Sequence, residues 1–176
     1  MTDSHPRILH DLTATGDRRF SPFCWRTKLA FAQKGLDYAT RPLRFVDIDA
    51  LNPGGPRLTL PTLDEVARRV NDSWAIACYL EETYPDRPSL FPSGLEVARF
   101  VQGWTNTQVN PALLRVILLD VHDALDAESQ ACFRQNREAR FGMTLEAFVA
   151  DRPGALQRFR QTLQPIPGTS SRISPS

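Results

Sequence analysis

The chain is 176 residues long, enough for one ordinary domain or two small ones. Its 41% hydrophobic and 23% charged residues fit a soluble globular protein able to bury a core. A formal net charge of +1, with the two signs interspersed, gives no basis for binding nucleic acid or an anionic membrane.

Arg7 to Leu12 alternates loosely and is expected to form a first strand. A loop with Gly16 leads to Ser21-Pro22, a good N-cap and first helical residue. The helix they open is expected from Pro22 to about Lys34, with Phe23, Leu29, Ala30 and Phe31 largely inward and Gly35 closing it. A second strand fits Asp37 to Phe45. Asn52-Pro53-Gly54-Gly55-Pro56 argues against a regular helix between Val46 and Arg57, leaving a loop or one irregular turn. Leu58-Thr59-Leu60 alternates like a half-buried strand, Pro61 belongs at a strand start, edge or turn, and Thr62-Leu63 resumes the strand. Ala67 to Asn71 reads as a further short strand. Asp72-Ser73 then caps an amphipathic helix with Trp74, Ala77, Cys78 and Leu80 as its apolar face and Glu81, Glu82 and Thr83 solvated. Pro85 stops this helix near Tyr84.

Beyond Tyr84 the prolines 85, 88 and 92 mark a linker, and the pattern becomes purely helical. One run covers Glu96 to Gln108. Asn110-Pro111 is either a fresh helix start or a kink within one long helix. Leu113 to Leu125 is apolar nearly all round and is expected in the core. Ala127 to Phe148, broken near Gly142, and Arg152 to Leu163 complete the helices. The expected organisation is a first domain over 1–84, a linker over 85–93, a helical domain over 94–164 and a disordered Pro/Gly/Ser-rich tail over 165–176.

Cys24, Cys78 and Cys132 are widely spaced and odd in number, which suits a reducing compartment better than a disulfide framework. The N-terminus has no apolar segment of the secretory kind, and the most apolar stretch, Leu113 to Leu119, is too short to span a bilayer. A cytoplasmic protein is expected.

The β-α-β-β-β-α order through Tyr84, with Leu60-Pro61 ahead of Asp72-Ser73-Trp74-Ala75-Ile76 and Tyr79-Leu80, resembles the thioredoxin-like half of a glutathione transferase. The phrases SPFCWRTKLAFAQKGLDY, NDSWAIACYLEETYPDRPSLFP and NPALLRVILLDVHDAL resemble most the serine-type, β-etherase-like members from lignin-degrading bacteria and fungi. The resemblance runs from about Arg7 to Gln164. It implies an α+β thioredoxin-like domain followed by an all-helical domain, the latter incomplete here, since family members continue with more helices. That shortening would leave apolar surface around Leu113 to Leu119 uncovered unless a second copy or a rearrangement hides it.

The same resemblance implies glutathione as co-substrate, a small hydrophobic or aromatic electrophile as second substrate, and a homodimer. Ser21 sits at a helix start, where unpaired N–H groups favour an anion, and its hydroxyl can donate to a thiolate; in the serine-type enzymes that serine holds the glutathione thiolate. The alternative is that Ser21 is only an N-cap. By the same likeness the Leu60-Pro61 bond is cis, the Leu60 backbone pairs with the cysteinyl part of the peptide, and Asp72 and Ser73 hold its γ-glutamyl end. A cation is needed for the glycine carboxylate, with Arg44, Arg41 and Arg57 as candidates and Arg44 placed first. Phe23, Trp104 and Asn110 are expected in the electrophile pocket, though Trp104 fits a core position equally well.

Two competing chemistries are weaker. Ser-Pro-Phe-Cys also resembles a glutaredoxin site whose first cysteine has become serine, and thiol exchange needs a nucleophile there; Cys24 is expected to pack as a small hydrophobe. Asp120-Val121-His122-Asp123 suggests a metal, but His122 and Asp123 are adjacent and are expected to face apart, and no second ligand pattern exists. The leading expectation is thus a transferase acting through Ser21. A glutathione-binding module without turnover is the second reading.

Overall fold

A computed structural model describes residues 7–164; the expected tail over 165–176 lies outside them. The first elements are β1 (Arg7–Leu12), α1 (Pro22–Lys34), β2 (Ala39–Leu43), a 3₁₀ turn over Phe45–Leu51, β3 (Thr62–Glu65), β4 (Arg68–Asn71) and α2 (Ser73–Thr83). The strands form one mixed sheet in the order β2-β1-β3-β4, with β1 parallel to β2 and antiparallel to β3, and β3 antiparallel to β4. Helices follow: α3 (Leu95–Trp104), a π turn over Thr105–Val109, α4 (Asn110–Ala124), α5 (Ala127–Phe141), α6 (Leu145–Phe148) and α7 (Arg152–Thr162). The expected fold class is met: a thioredoxin-like half, then helices only.

Two compact units result. Among the described residues one is 7–92 together with Ala124–Phe133; the other is Ser93–Asp123 together with 134–164. That Ala124–Phe133 joins the first unit has no signal in the sequence pattern. Its attachment is specific: Thr15 Oγ1 donates to the Ala124 carbonyl at 2.7 Å, Phe133 meets Phe45 edge-on at 5.2 Å, and Arg44 pairs with Glu128 at 3.0 Å.

The first unit packs α1 and α2 on one sheet face. Leu9 and Leu63 from the strands meet Ala30 and Phe31 of α1 and Ile76, Tyr79 and Leu80 of α2. The inward stripe of α1 is Cys24, Thr27, Ala30, Phe31 and Lys34, a three-four spacing. Leu29, expected inward, is 63% exposed because it falls on the side of the helix opposite that stripe, and Phe23 is half-buried. In α2 the buried residues are Ser73, Ile76, Tyr79 and Leu80, while Trp74, Ala77 and Cys78 are only half-buried. The capping expectations hold: Gly35 closes α1 in the left-handed region (φ 62°), and Tyr84 ends α2.

Buried charges are paired, as burial demands. Arg7 meets Glu65 at 2.7 Å, and Glu65 also accepts from the hydroxyls of Tyr79 and Tyr84. Lys34 on α1 reaches Glu81 on α2 at 2.5 Å and the Tyr84 carbonyl at 3.1 Å, so Glu81 is an ion-pair partner rather than a purely solvated residue.

In the second unit, Leu118, Leu145 and Ala155 are buried. The expected core run Leu113 to Leu125 is mostly half-buried, with only Leu118 and Leu125 fully inside. Nor does the exposed apolar surface centre on Leu113 to Leu119. It lies on α3, where Val97, Phe100 and Val101 are 52%, 75% and 49% exposed. At Asn110-Pro111, expected as a fresh helix start or a kink, α4 begins directly after the π turn: proline at 111 removes a donor and crowds the carbonyl four residues earlier, and the widened turn over Thr105–Val109 spans that position. Gly142 (φ 67°) separates α5 from α6 as expected. Among the described residues no helix is long and apolar enough to cross a membrane.

Candidate functional site

The sheet register gathers three expected site elements at one end of the first unit. β1 ends at Leu12 and delivers the chain to Ser21 and α1. β3 starts at Thr62, opposite His10 of β1, and β4 ends at Asn71, opposite Thr62. The N-termini of α1 and α2 therefore open on the same sheet end, with Pro61 between them. The Leu60–Pro61 bond is cis, as the resemblance implied. Aligned N–H groups at two helix starts make this end favourable for negative charge.

Ser21 is buried (5% exposed), and its Oγ accepts from the Cys24 N–H at 3.3 Å. A cap of that kind uses a lone pair and leaves the hydroxyl proton for another acceptor. Cys24 lies one turn inside α1, 1% exposed, and burial pushes its thiol up to about 11. A helix N-terminus ordinarily lowers a thiol's pKa; here desolvation outweighs it. Beneath the helix, Asp11 is fully buried between Lys28 at 2.5 Å and Arg19 at 2.7 Å.

Asp72 caps α2 with one carboxylate oxygen, accepting from Trp74 N–H at 2.9 Å and Ala75 N–H at 3.2 Å, and its own N–H donates to the Pro61 carbonyl at 3.3 Å. It holds a positive φ of 83°, a conformation rare for non-glycine residues. Ser73 behind it is buried. Arg26 of α1 feels the Asp72 charge, while partial burial lowers its own pKa; its guanidinium lies 5.1 Å from the Phe23 ring centre.

Arg44 is less available than its sequence position suggests. It bonds Asp47 at 2.8 Å and Glu128 at 3.0 Å, with Asp126 at 3.6 Å. Arg57 pairs with Asp49 at 2.9 Å, and Arg41 is exposed on β2. Trp104 ends α3, half-buried, and Asn110 opens α4 with its amide 3.4 Å from Asn106 Oδ1; both belong to the second unit, Phe23 to the first. His122 Nδ1 lies 2.9 Å from Asp123 Oδ1, so these neighbours do not face apart; Asp120 is taken by Arg152.

Sequence reasoning overlooked Asn71. Leu58 to Leu60 forms no strand; the Asn71 side chain takes up the backbone groups of Thr59 instead. The preference of asparagine for strand ends and turns was the available signal.

Comparison with known proteins completes the picture. The model of the glutathione S-transferase N-terminal domain matches residues 20–83, and that of the glutathione S-transferase C-terminal domain matches residues 97–173. The chain belongs to the glutathione S-transferase superfamily. Glutathione S-transferase Z1 of Arabidopsis thaliana is 26% identical over 172 residues, covering 81% of this chain and 76% of the relative. Glutathione S-transferase Z2 of the same plant is 28% identical over 143 residues, and the match spans 73% of this chain but 60% of that relative. Among solved structures, a glutathione S-transferase of Ceriporiopsis subvermispora in complex with glutathione is 28% identical with a TM-score of 0.79, covering 92% of this chain and 72% of that one. The superfamily assignment thus rests on both halves of the chain.

Proposed function

We propose that the chain binds glutathione at the sheet end where α1 and α2 begin, and that Ser21 stabilises its thiolate for attack on a small aromatic electrophile. The observation that carries this reading is the convergence of a buried Ser21 and the Asp72–Ser73 pair on either side of the cis Leu60–Pro61 bond. Support also comes from the glutathione-bound relative from Ceriporiopsis subvermispora, which shares the fold at 28% identity.

In this mechanism Asp72 keeps one carboxylate oxygen free of its capping bonds to take the ammonium of the γ-glutamyl group. The Ser73 hydroxyl and its own N–H, at the start of α2, receive the α-carboxylate. The Leu60 backbone pairs with the cysteinyl residue. The sulfur then lies against the start of α1, where the Ser21 hydroxyl donates to it and the helix N-terminus lowers its pKa. Attack forms the carbon–sulfur bond and expels the leaving group, a phenolate where the electrophile is a β-aryl ether. Arg44 is already surrounded by carboxylates, which leaves the exposed Arg41 as the first candidate for the glycine carboxylate. A homodimer in the cytoplasm is part of the reading.

Replacing Ser21 with Ala is expected to lower kcat/KM toward an activated aromatic electrophile by about a hundredfold while glutathione still raises the melting temperature. Full activity in Ser21→Ala would remove the serine from the mechanism. The second reading, a binding module without turnover, predicts the same glutathione-dependent stabilisation with no conjugation in the wild type. A thiol-exchange role is disfavoured by the buried, neutral Cys24: iodoacetamide at neutral pH should label Cys78 and Cys132 well before it.

A further inference from the structure

We infer that Asn71 is a positioning residue that holds the Leu60 backbone in register with Asp72–Ser73, so that the two halves of the peptide-binding site act as one. The inference rests on the glutathione reading above and deepens it. It starts from a backbone problem. Thr59 and Leu60 precede a proline, lie outside the sheet and have no strand partner, yet Leu60 is the residue whose backbone must meet the ligand.

The Asn71 side chain supplies the missing partner. Its Oδ1 lies 3.4 Å from the Thr59 nitrogen and accepts from the Thr59 hydroxyl at 3.2 Å. Its Nδ2 donates to the Thr59 carbonyl at 2.5 Å and to Thr62 Oγ1 at 2.7 Å, and lies 3.5 Å from the Pro61 carbonyl. Thr62, fully buried, closes the ring by donating from Oγ1 to the Thr59 carbonyl at 2.9 Å. A planar amide carrying a donor and an acceptor thus imitates one rung of a β-ladder on both sides of Leu60. Covalently, Asn71 is the residue before Asp72, whose N–H bonds the Pro61 carbonyl. One residue ties the segment for the cysteinyl part to the segment for the γ-glutamyl part.

The chemistry required is narrow. Aspartate has the same shape but would set a second acceptor against the Thr59 and Pro61 carbonyls. Serine is too short to span both groups, and an apolar side chain takes away the acceptor of the Thr59 N–H and leaves the Thr59 carbonyl to Thr62 alone. Pre-organising a ligand-bearing segment improves affinity by removing the cost of ordering it on binding.

The test compares the wild type with Asn71→Ala, Asn71→Asp, Thr62→Val and Ser73→Ala. Glutathione affinity is measured by calorimetry, the pKa of the bound thiol by thiolate absorbance, and amide exchange over residues 57–63 without ligand. Asn71→Ala is expected to weaken glutathione binding about tenfold, to raise the pKa of the bound thiol as the sulfur leaves Ser21, and to speed exchange at Thr59. Asn71→Asp should do at least as much. Thr62→Val, which removes the two bonds of the ring that pass through Oγ1, should weaken binding about threefold, and it carries the same test if the Asn71 variants do not fold. A merely structural role would lower the melting temperature and leave the bound-thiol pKa unmoved; that result, or wild-type affinity in Asn71→Ala beside a loss in Ser73→Ala, overturns the inference. If the wild type itself ignores glutathione, the functional reading falls, and the exchange rates at Thr59 alone decide whether the clamp exists.

Discussion

In the first unit, Leu9, Phe31, Leu63, Ile76 and Leu80 are sealed between a sheet and two helices, and every buried charge beside them has a partner. In the second unit, no residue of α3 is buried, and much of the described cohesion is peripheral: Phe141 stacks on Phe148 at 4.2 Å, Arg115 covers Phe148, and Arg134 bridges Glu138 and Glu146. Exposed ion pairs of this kind contribute about 0–1 kcal/mol each. The difference locates rigidity where the candidate site needs it. Two helix starts and a cis proline keep a fixed geometry only if the sheet beneath them does not give.

The sharpest way to break the contrast is to open the first core. Phe31→Ala removes a fully buried ring that also stacks on Tyr38 at 4.5 Å, and should cost about 3–5 kcal/mol in chemical denaturation. A loss below about 1 kcal/mol would mean the first unit is not the stable half. A smaller, pH-dependent effect belongs to the opposite sheet face. There Arg69, through two hydrogen bonds, and then His10 hold the Asp64 carboxyl down at about 2. A carboxyl depressed in the folded state stabilises above its unfolded value near 3.8 and loses that contribution as the pH falls toward 2. The melting temperature should therefore drop across pH 4 to 2, and Asp64→Asn should flatten the drop. The smallest effect is expected from Phe100→Ser on α3, 75% exposed in the single chain: less than about 0.5 kcal/mol. A larger loss that varies with protein concentration would mean a second copy covers that face.

Much of the first unit was legible in the sequence, because its signals are local. Ser21-Pro22 and Gly35 bound α1, Asp72-Ser73 and Tyr84-Pro85 bound α2, and caps act through the residues that carry them. The inward face of α1 was misjudged because hydrophobicity alone favoured Leu29, whereas the buried stripe includes Thr27 and Lys34, polar residues admitted by position and, for Lys34, by a partner on another helix. Leu58 to Leu60 alternates like a strand, but alternation cannot reveal that a side chain twelve residues on will occupy its hydrogen bonds.

The sequence alone determined the order of elements and the caps, since each follows from neighbouring residues, and it carried the motifs whose family resemblance implied the cis Leu60–Pro61 bond. Tertiary structure decided the rest. It brought the starts of α1 and α2 to one sheet end, committed Arg44 to Asp47 and Glu128, raised the Cys24 thiol by burial, and set Asn71 against Thr59. Each of these depends on partners distant along the chain, and a carboxylate, a dielectric environment or an unpaired carbonyl acts only through space.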